Sequence, residues 1–593
     1  MKRENKASFF VVILLSAILI VGSFCHNDVS EAKSRVIAWD VYGYYIYLPA
    51  VFIYHDTREY TFAQEHLKNY QVSSDLYQLK KTDNKCVAPG YTMGLAILWL
   101  PFFILAHAFA SITHLYPADG LSFPYQLAVV VASWFYAIIG LWFLRKTLLR
   151  FFSDYITALT IAAIVLGTNY FNYVSYESGM PHGLLFSLYG VLLYGICCWY
   201  EKPTIKLSVV IGFLIALACL CRPSEIVVVV FFIFYGLQRL TALPQRLTFF
   251  KKHWLQILFI VIAGCVTVAP QILYWRFNTG LWFYNGYEDH IFTFLKPQIL
   301  NGLFSYRKGW LIYTPLMLLS LAGFFTPRIR NAGLFYAVFG YFIINLYIVF
   351  SWDTWWYASS FSCRALVQSY ALLAFPLASF LLYIESLKPP LKALVYLFIV
   401  LCIALNQFQA WQYQHEILPR DETTKTYYWK VFGKTQITDP HIKRFLDIDE
   451  ALPVGKTFTA VVLSGVCTDL ASKVIVGNSF GPAEIFKVNN ANLSTLSEKW
   501  VNVEARVKSS GDLCMPWHEA LLVFTAERNG KPIKWSNMRF QGFIQPEIWD
   551  KVGYEVQLPV LQAGDDLKAF IWNQGPDTIF ERCIELRLLK EKN

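Results

Sequence analysis

Long apolar runs separated by short polar stretches fill the chain up to about residue 430, where the pattern changes to brief alternations of apolar and polar positions. Runs near 124–144, 155–173, 182–200, 207–220, 223–240, 254–274, 310–325, 331–350, 366–385 and 392–410 approach or reach the length of about 20 residues that a helix needs to cross the hydrocarbon core. With an opening run at 7–24 they predict about eleven crossings. Lys2 and Arg3 precede that opening run and no small-x-small cleavage pattern precedes Cys25, so the run is expected to be an uncleaved anchor whose N-terminus is cytoplasmic.

The stretch 91–112 is also long enough to span, but Pro101 interrupts it. Basic loops at 145–150, 202–206, 238–252, 328–330 and 388–392 all fall on one side only if this stretch makes no net crossing. Such loops collect in the cytoplasm. A re-entrant or interfacial helix is therefore expected at 91–112, with an ordinary twelfth span as the alternative.

An odd number of crossings leaves everything after Gln412 outside. There, Val501, Val503, Ala505 and Val507 alternate with Asn502, Glu504 and Arg506, which is strand periodicity, and Asn529-Gly530 is a hairpin turn signal. Roughly eight strands are expected in a β-sandwich. The domains are thus read as a membrane unit, 1–429, with an external loop at 26–90, and an extracytoplasmic sandwich, 430–593. Cys467, Cys514 and Cys583 lie in the sandwich, where an oxidising compartment permits one disulfide. Trp517, Trp535, Trp549 and Trp572 are candidates for a carbohydrate platform or for core, and at least half are expected in the core.

Composition agrees with the pattern. The chain is 56% hydrophobic and 16% charged, with a mean hydropathy of +0.40, which is too apolar for a soluble globule of 593 residues. The net charge of +10 sits mostly in short loops between apolar runs, where it sets orientation, and no nucleic-acid-binding motif accompanies it. The twelve cysteines show no metal-ligand spacing.

Threading the chain this way brings Asp40, Lys85, Glu177, His182, Arg222, Glu288, Arg307, Asp353 and Arg364 to the external side. Charges near a bilayer are costly, so their gathering on one face points to a shared site. Asp40 stands in WDVYGYYIYLPA, 39–50, where Trp39, Tyr42, Tyr44, Tyr45 and Tyr47 could stack on a sugar ring and desolvate a general base. The same tyrosines could equally form an interfacial belt, with Asp40 capping a helix. Glu177 and His182 flank the start of a span and either orient a substrate, pair with Arg222 or serve structure alone. Glu225 could simply neutralise Arg222 one helical turn away. Glu288-Asp289-His290 reads as loop surface, while Asp353 among Trp352, Trp355, Trp356 and Tyr357 has the composition of a sugar contact.

The first-loop acid, the stretches APGYTMGLAILWLPFFILAHAFA, YESGMPHGLLFSLYG, CRP, SYRKGWLIYTP, SWDTWWYASSFSCR and NQFQAWQYQ, and their common sidedness resemble the GT-C glycosyltransferases. The likeness covers most of 10–430 and is to the protein-mannosyltransferase and aminoarabinose-transferase branch in its Bacteroidetes-type versions. It implies a polytopic helical membrane fold of about 11 to 13 membrane helices. It also implies a polyprenyl-phosphate-linked sugar donor, an extracytoplasmic glycan, lipid or protein acceptor, and a bacterial inner-membrane location. Asp40 occupies the position of the essential acid. Many relatives have two acids there, but Val41 and Tyr42 follow Asp40 here, so transfer without a metal or other cofactor is expected.

A polyprenyl phosphate leaves as an anion, so its side of the site needs cations while the acceptor hydroxyl needs a base. Asp40 is the candidate base. Lys85, Arg222, Arg307, Lys308 and Arg364 are the candidate phosphate ligands, with Arg307-Lys308 equally suited to lipid headgroups. Tyr44, Tyr45, Glu177, His182, Asp353, Trp356 and Tyr357 are the candidate substrate contacts. The rival reading is a non-catalytic transporter or flippase of lipid-linked glycans. It predicts charges deep in spans and reachable from both sides, of which the cytoplasmic half of the chain has few.

Overall fold

A computed structural model describes residues 6–26, 35–287, 290–450, 452–453, 455–465, 472–511 and 520–592. The chain forms two compact units, Met1–Trp411 and Gln412–Asn593. The division falls earlier than 429/430 because the helix Lys425–Val431 is built into the second unit, where Tyr427 Oη donates to the Ile417 carbonyl at 2.8 Å.

The first unit is a multi-pass membrane bundle. Among the described residues seven helices are long and apolar enough to cross a membrane, including Lys6–Phe24, Phe123–Leu148, Pro181–Glu201 and Trp254–Thr279. Four shorter apolar helices, Asp154–Gly167, Ile205–Cys221, Pro223–Phe234 and Phe335–Phe350, accompany them. At one end the backbone N–H groups of Ala7 and Ser8 donate to Asp154, and Arg145 Nε donates to Ser8 Oγ at 2.7 Å. The helix starting at Lys6 and the one ending at Leu148 therefore share an end.

One run breaks in two. The run at 310–325 is split into Trp310–Tyr313 and Met317–Gly323. Pro315 lies between them, and its ring and missing N–H cannot continue the first helix. The stretch at 91–112 folds as one helix, Gly94–Thr113, which Pro101 does not break. Its first turn follows Thr92, whose hydroxyl donates to the Leu220 carbonyl, and Met93, whose N–H donates to Gln271 Oε1. After its last turn, the carbonyls of Asp119 and Gly120 accept bonds from Tyr54 and Tyr45 of the loop that carries Asp40. Both ends of this helix thus meet residues near the Asp40 end of the bundle.

The segment between the first helix and Gly94 folds, from residue 35 on, into short helices, Asp40–Tyr45, Tyr47–Phe52 and Ala63–Tyr70, and a hairpin of Leu79–Lys81 with Val87–Pro89. Tyrosine hydroxyls fasten it to the bundle, as between Tyr60 and Tyr274 at 2.8 Å. Such bonds satisfy polar groups that would otherwise be costly at the edge of an apolar medium.

The second unit is a β-sandwich in which the described residues form two five-stranded antiparallel sheets. One contains Asp550–Gln557, Trp500–Ser509, Ile579–Glu591 and Phe458–Ser464 in that order, and the other Ser479–Phe480, Asp566–Asn573, Ala520–Arg528 and Lys531–Arg539. Their inner faces close a single core in which Val501, Val503, Ala505 and Val507 meet Leu522, Phe524 and Ala526. Asn529-Gly530 makes the expected hairpin with φ of 52° and 73°, the left-handed pair that suits the twist of the flanking strands. Two short strands, Lys473–Ile475 and Ser479–Phe480, account for the excess over eight.

The tryptophans correct the core expectation. Trp535 and Trp572 lie on the outer face beside Phe480, and Trp549 lies under Arg582 at 4.2 Å. Aliphatic side chains with Phe524 and Tyr554 fill the core instead. Cys583 is disulfide-bonded; Cys467, Cys514 and Trp517 lie outside the described residues.

A buried ion pair fastens the start of this unit to its second sheet. Arg539, 6% exposed, holds both carboxylate oxygens of Asp447, 3% exposed, and Glu422 at 2.6 Å. Burial opposes the charge on Asp447, but Arg539 outweighs it and holds the carboxyl below its usual range. A depressed carboxyl adds stability above its unfolded pKa and loses it as pH falls through the folded value. Arg539→Met, which leaves Asp447 unpaired, should cost this unit about 3 to 5 kcal/mol at neutral pH and less in acid. Pulse proteolysis of the full chain across that pH range reads the difference; an equal loss at both pH values would contradict it.

Candidate active site

Asp40 opens the helix Asp40–Tyr45, and the residue before it, Trp39, has φ 53° and ψ −129°, a backbone setting that non-glycine residues adopt only under constraint. Its Oδ1 accepts from Tyr77 Oη at 2.9 Å and Tyr91 Oη at 2.7 Å, and its Oδ2 from Arg364 Nη2 at 3.2 Å. Hydroxyls and a guanidinium, rather than bare ring faces, thus define its surroundings. Burial and then the charge of Asp40 push both Tyr77 and Tyr91 far above the ordinary phenol range, so both stay protonated as donors.

Arg364 begins the 3-10 turn Arg364–Ser369 after a loop in which Tyr357, Ala358 and Ser362 all have positive φ. Tyr173 clamps that loop, donating to the Phe361 carbonyl at 3.2 Å and accepting from its N–H at 2.9 Å. Buried Lys308 donates to the Ser360 carbonyl at 2.5 Å. The loop's strain is held by these bonds, and its product is the placement of one guanidinium against Asp40.

Around the ion pair the rings of Tyr44, Tyr91, Tyr287 and Trp352 follow one another, with centroids 4.5, 5.6 and 5.6 Å apart. Burial and then Asp40 push the Tyr287 hydroxyl up to about 12. Arg222 follows the helix Ile205–Cys221 and lies 5.6 Å over the Tyr357 ring, within electrostatic reach of Tyr44 and Tyr287. Behind it Glu225, 1% exposed, stands 3.8 Å from Arg222 and accepts from Tyr189 Oη at 2.6 Å and Gln368 Nε2 at 2.8 Å. Buried His182 packs edge-on to Tyr173 at 5.2 Å and feels both Arg222 and Arg364; half-buried Glu177 also acts on Arg364. One carboxylate, two guanidinium groups and a wall of phenols can take a proton, stabilise an anion and stack on a ring.

Of the residues singled out from sequence, Asp40, Arg222, Arg364, Tyr44, Glu177, His182 and Tyr357 come together. Others do not. Tyr45 is core, its hydroxyl on the Gly120 carbonyl. Lys85 is exposed in the hairpin turn with φ 59° and makes no hydrogen bond or ion pair with Asp40, Arg222 or Arg364 among the described residues. Lys308 is spent on the Ser360 carbonyl. Arg307 lies 3.8 Å over the Trp356 ring. Asp353 pairs with His290 at 3.2 Å and accepts from the Ile291 N–H at 3.1 Å, fastening 290–292 to the Trp352 segment. Burial opposes the charge of Asp353, but the backbone bonds from Ile291 and Thr354 hold it below the usual carboxylate range. Glu288 and Asp289 lie outside the described residues. Among the described residues no group of three or more His, Cys, Asp or Glu side chains is arranged to hold a metal ion. Tyr77, Tyr91, Tyr287, Tyr189 and Gln368 were not foreseen, since their residue types recur throughout the chain, whereas Trp352 stands out in the sequence only as a neighbour of Asp353.

No protein-family profile and no curated protein matches the chain. Among solved structures, the arabinosyltransferase EmbB from Mycobacterium smegmatis matches at 10% identity and a TM-score of 0.26, over 84% of this chain and 61% of that one. The chain therefore spans less than two thirds of that structure's length. So low a TM-score does not establish a shared fold.

The pairing of Glu225 with Arg222 gives a double-mutant test. Glu225→Leu should destabilise the bundle by about 3 to 5 kcal/mol because Arg222 is left buried without its anion. Adding Arg222→Met should recover part of that loss in thermal unfolding of the detergent-solubilised protein. Strictly additive losses would show that the two charges do not interact.

Proposed function

We propose that the chain is a membrane glycosyltransferase of the GT-C type. It would move a sugar from a polyprenyl-phosphate-linked donor to an extracytoplasmic glycan, lipid or protein acceptor. The observation that carries the reading is Asp40, a single carboxylate held by two phenols and a guanidinium. The sequence resemblance to the mannosyltransferase and aminoarabinose-transferase branch supports it.

In this mechanism the acceptor hydroxyl approaches Oδ2, which has room for a second hydrogen bond beside that from Arg364. Oδ2 takes the hydroxyl proton as the acceptor oxygen bonds to the anomeric carbon. The bond from that carbon to the phosphate oxygen breaks, and its electron pair leaves with the phosphate. Attack opposite the leaving group inverts the anomeric centre. Arg364 and Arg222 stabilise the departing anion, and the fixed charges cost no reorganisation during transfer. Tyr77 and Tyr91 hold the carboxylate's orientation, while Tyr44 and Tyr287 offer ring faces to the sugar. The reading needs no metal or cofactor. It places the protein in a bacterial inner membrane, N-terminus in the cytoplasm and sandwich in the periplasm.

The test is transfer of radiolabelled sugar from the polyprenyl-phosphate-sugar pool of cell membranes to endogenous acceptor. Asp40→Asn, which keeps the shape and most hydrogen bonds, should lower turnover by about 10²- to 10⁴-fold with donor binding retained. Tyr91→Phe should have a smaller effect of about tenfold on the same assay. Undiminished transfer by Asp40→Asn removes Asp40 from the mechanism, and lipid-linked glycan movement without transfer would favour the transporter.

A further inference from the structure

The end of the bundle opposite Asp40 holds a pocket that sugar transfer does not use. The helix Trp254–Thr279 connects the two ends. Near its C-terminus Asn278 Nδ2 donates to the Thr57 carbonyl at 2.8 Å and Tyr274 meets Tyr60, both in the external loop. Its 26 residues span about 39 Å, so its N-terminus lies at the other membrane interface. There, residues 236–249 line an open cavity of about 480 Å³, with Gln238, Arg239, Thr241, Gln245, Arg246 and Phe249 among its walls.

The cavity is cationic and has no anion of its own. Arg246 lies 4.5 Å over the Tyr200 ring and donates through Nη2 to the Tyr235 carbonyl at 2.5 Å, while its buried Nε has no hydrogen-bond partner among the described residues. Arg239, Lys251 and Lys252 are exposed close by, and the chain has no Asp or Glu between Glu225 and Glu288. Gln238 donates to the Asn331 carbonyl at 3.0 Å, which brings the short basic helix Pro327–Asn331 alongside.

Beside the cavity the surface is apolar. Leu247 on the helix Leu243–Lys252, then Trp254, Leu255, Leu258, Val261 and Ile262, are all exposed. A phosphate would meet the guanidinium groups with two-oxygen geometry, and attached alkyl chains would find this strip at the depth of the bilayer. A soluble anion would use the first feature and leave the second without a role.

We propose that this pocket binds the phosphate of an anionic membrane lipid, with Arg239 and Arg246 as its cations and the acyl chains along the Trp254–Thr279 helix. This assignment does not depend on the transfer reaction. Full-length protein in mixed micelles is offered fluorescent phosphatidylglycerol or phosphatidylcholine, and energy transfer from tryptophan reports retention. Wild type should retain phosphatidylglycerol about three- to tenfold better, and Arg239→Gln or Arg246→Gln should bring it close to the phosphatidylcholine level. Lys388→Gln, in another basic loop, should leave the preference intact. Because Arg246 also packs on Tyr200, exposed Arg239 gives the deciding variant. Equal retention of the two lipids by wild type, or an unchanged preference in Arg239→Gln, overturns the proposal. Displacement of phosphatidylglycerol by excess inorganic phosphate overturns it in favour of a soluble anion.

Discussion

The ion pair between Asp40 and Arg364 joins residues 324 positions apart and organises one end of the bundle. Neither charge could be left alone so close to an apolar medium, since an unpaired ion there costs several kcal/mol. Each side therefore brings supporting structure. On the Asp40 side it is Trp39, held at φ 53°, and the phenols of Tyr77 and Tyr91. On the Arg364 side it is the loop from Tyr357 to Ser362, with three positive φ values and the clamps of Tyr173 and Lys308. Strain on both sides of one contact, held by otherwise unneeded hydrogen bonds, is what a pre-organised site requires and what a merely stable fold would avoid.

A second buried charge pair, Arg222 with Glu225, lies behind the first and differs in exposure. Asp40 and Arg364 are 27% and 13% exposed at the side chain, whereas Glu225 is 1% exposed and saturated by Tyr189 and Gln368. The outer pair can therefore exchange partners with a ligand, and the inner one cannot without unpairing Glu225. This separates a carboxylate that a ligand can reach from one that holds a guanidinium in place.

Much of this was legible in the sequence, and the limits have physical causes. Apolar run length located the membrane helices because a bilayer imposes that length on any segment crossing it, but it could not register the break at Pro315, which is a matter of one missing donor. Alternation found the sandwich because the two sheets bury one face each, as Val501 to Val507 show, while strands of two or three residues are too short to carry a period. Charge sidedness found Asp40, Arg222 and Arg364. It over-collected Lys85, Lys308 and Asp353, because a common side of the membrane is a weaker condition than a common point. The phenols that surround Asp40 were hidden among 36 tyrosines. The tryptophans of the sandwich were misjudged because ring size suits a core and an outer face equally, and only the neighbouring strand decides.

The two ends of the bundle show how the same residue type acquires opposite roles from its surroundings. Arg364 meets a carboxylate that two phenols also hold, so its charge is answered before any ligand arrives. Arg246 meets ring faces and one carbonyl, and its segment offers no acid at all. A bundle that answered both charges internally would have no reason to bind an anion at either end. One that answered neither would pay the full desolvation cost of both. On the proposed lipid site, the unanswered cation stands at the interface where anionic headgroups can reach it, while the cation beside the candidate base is paired.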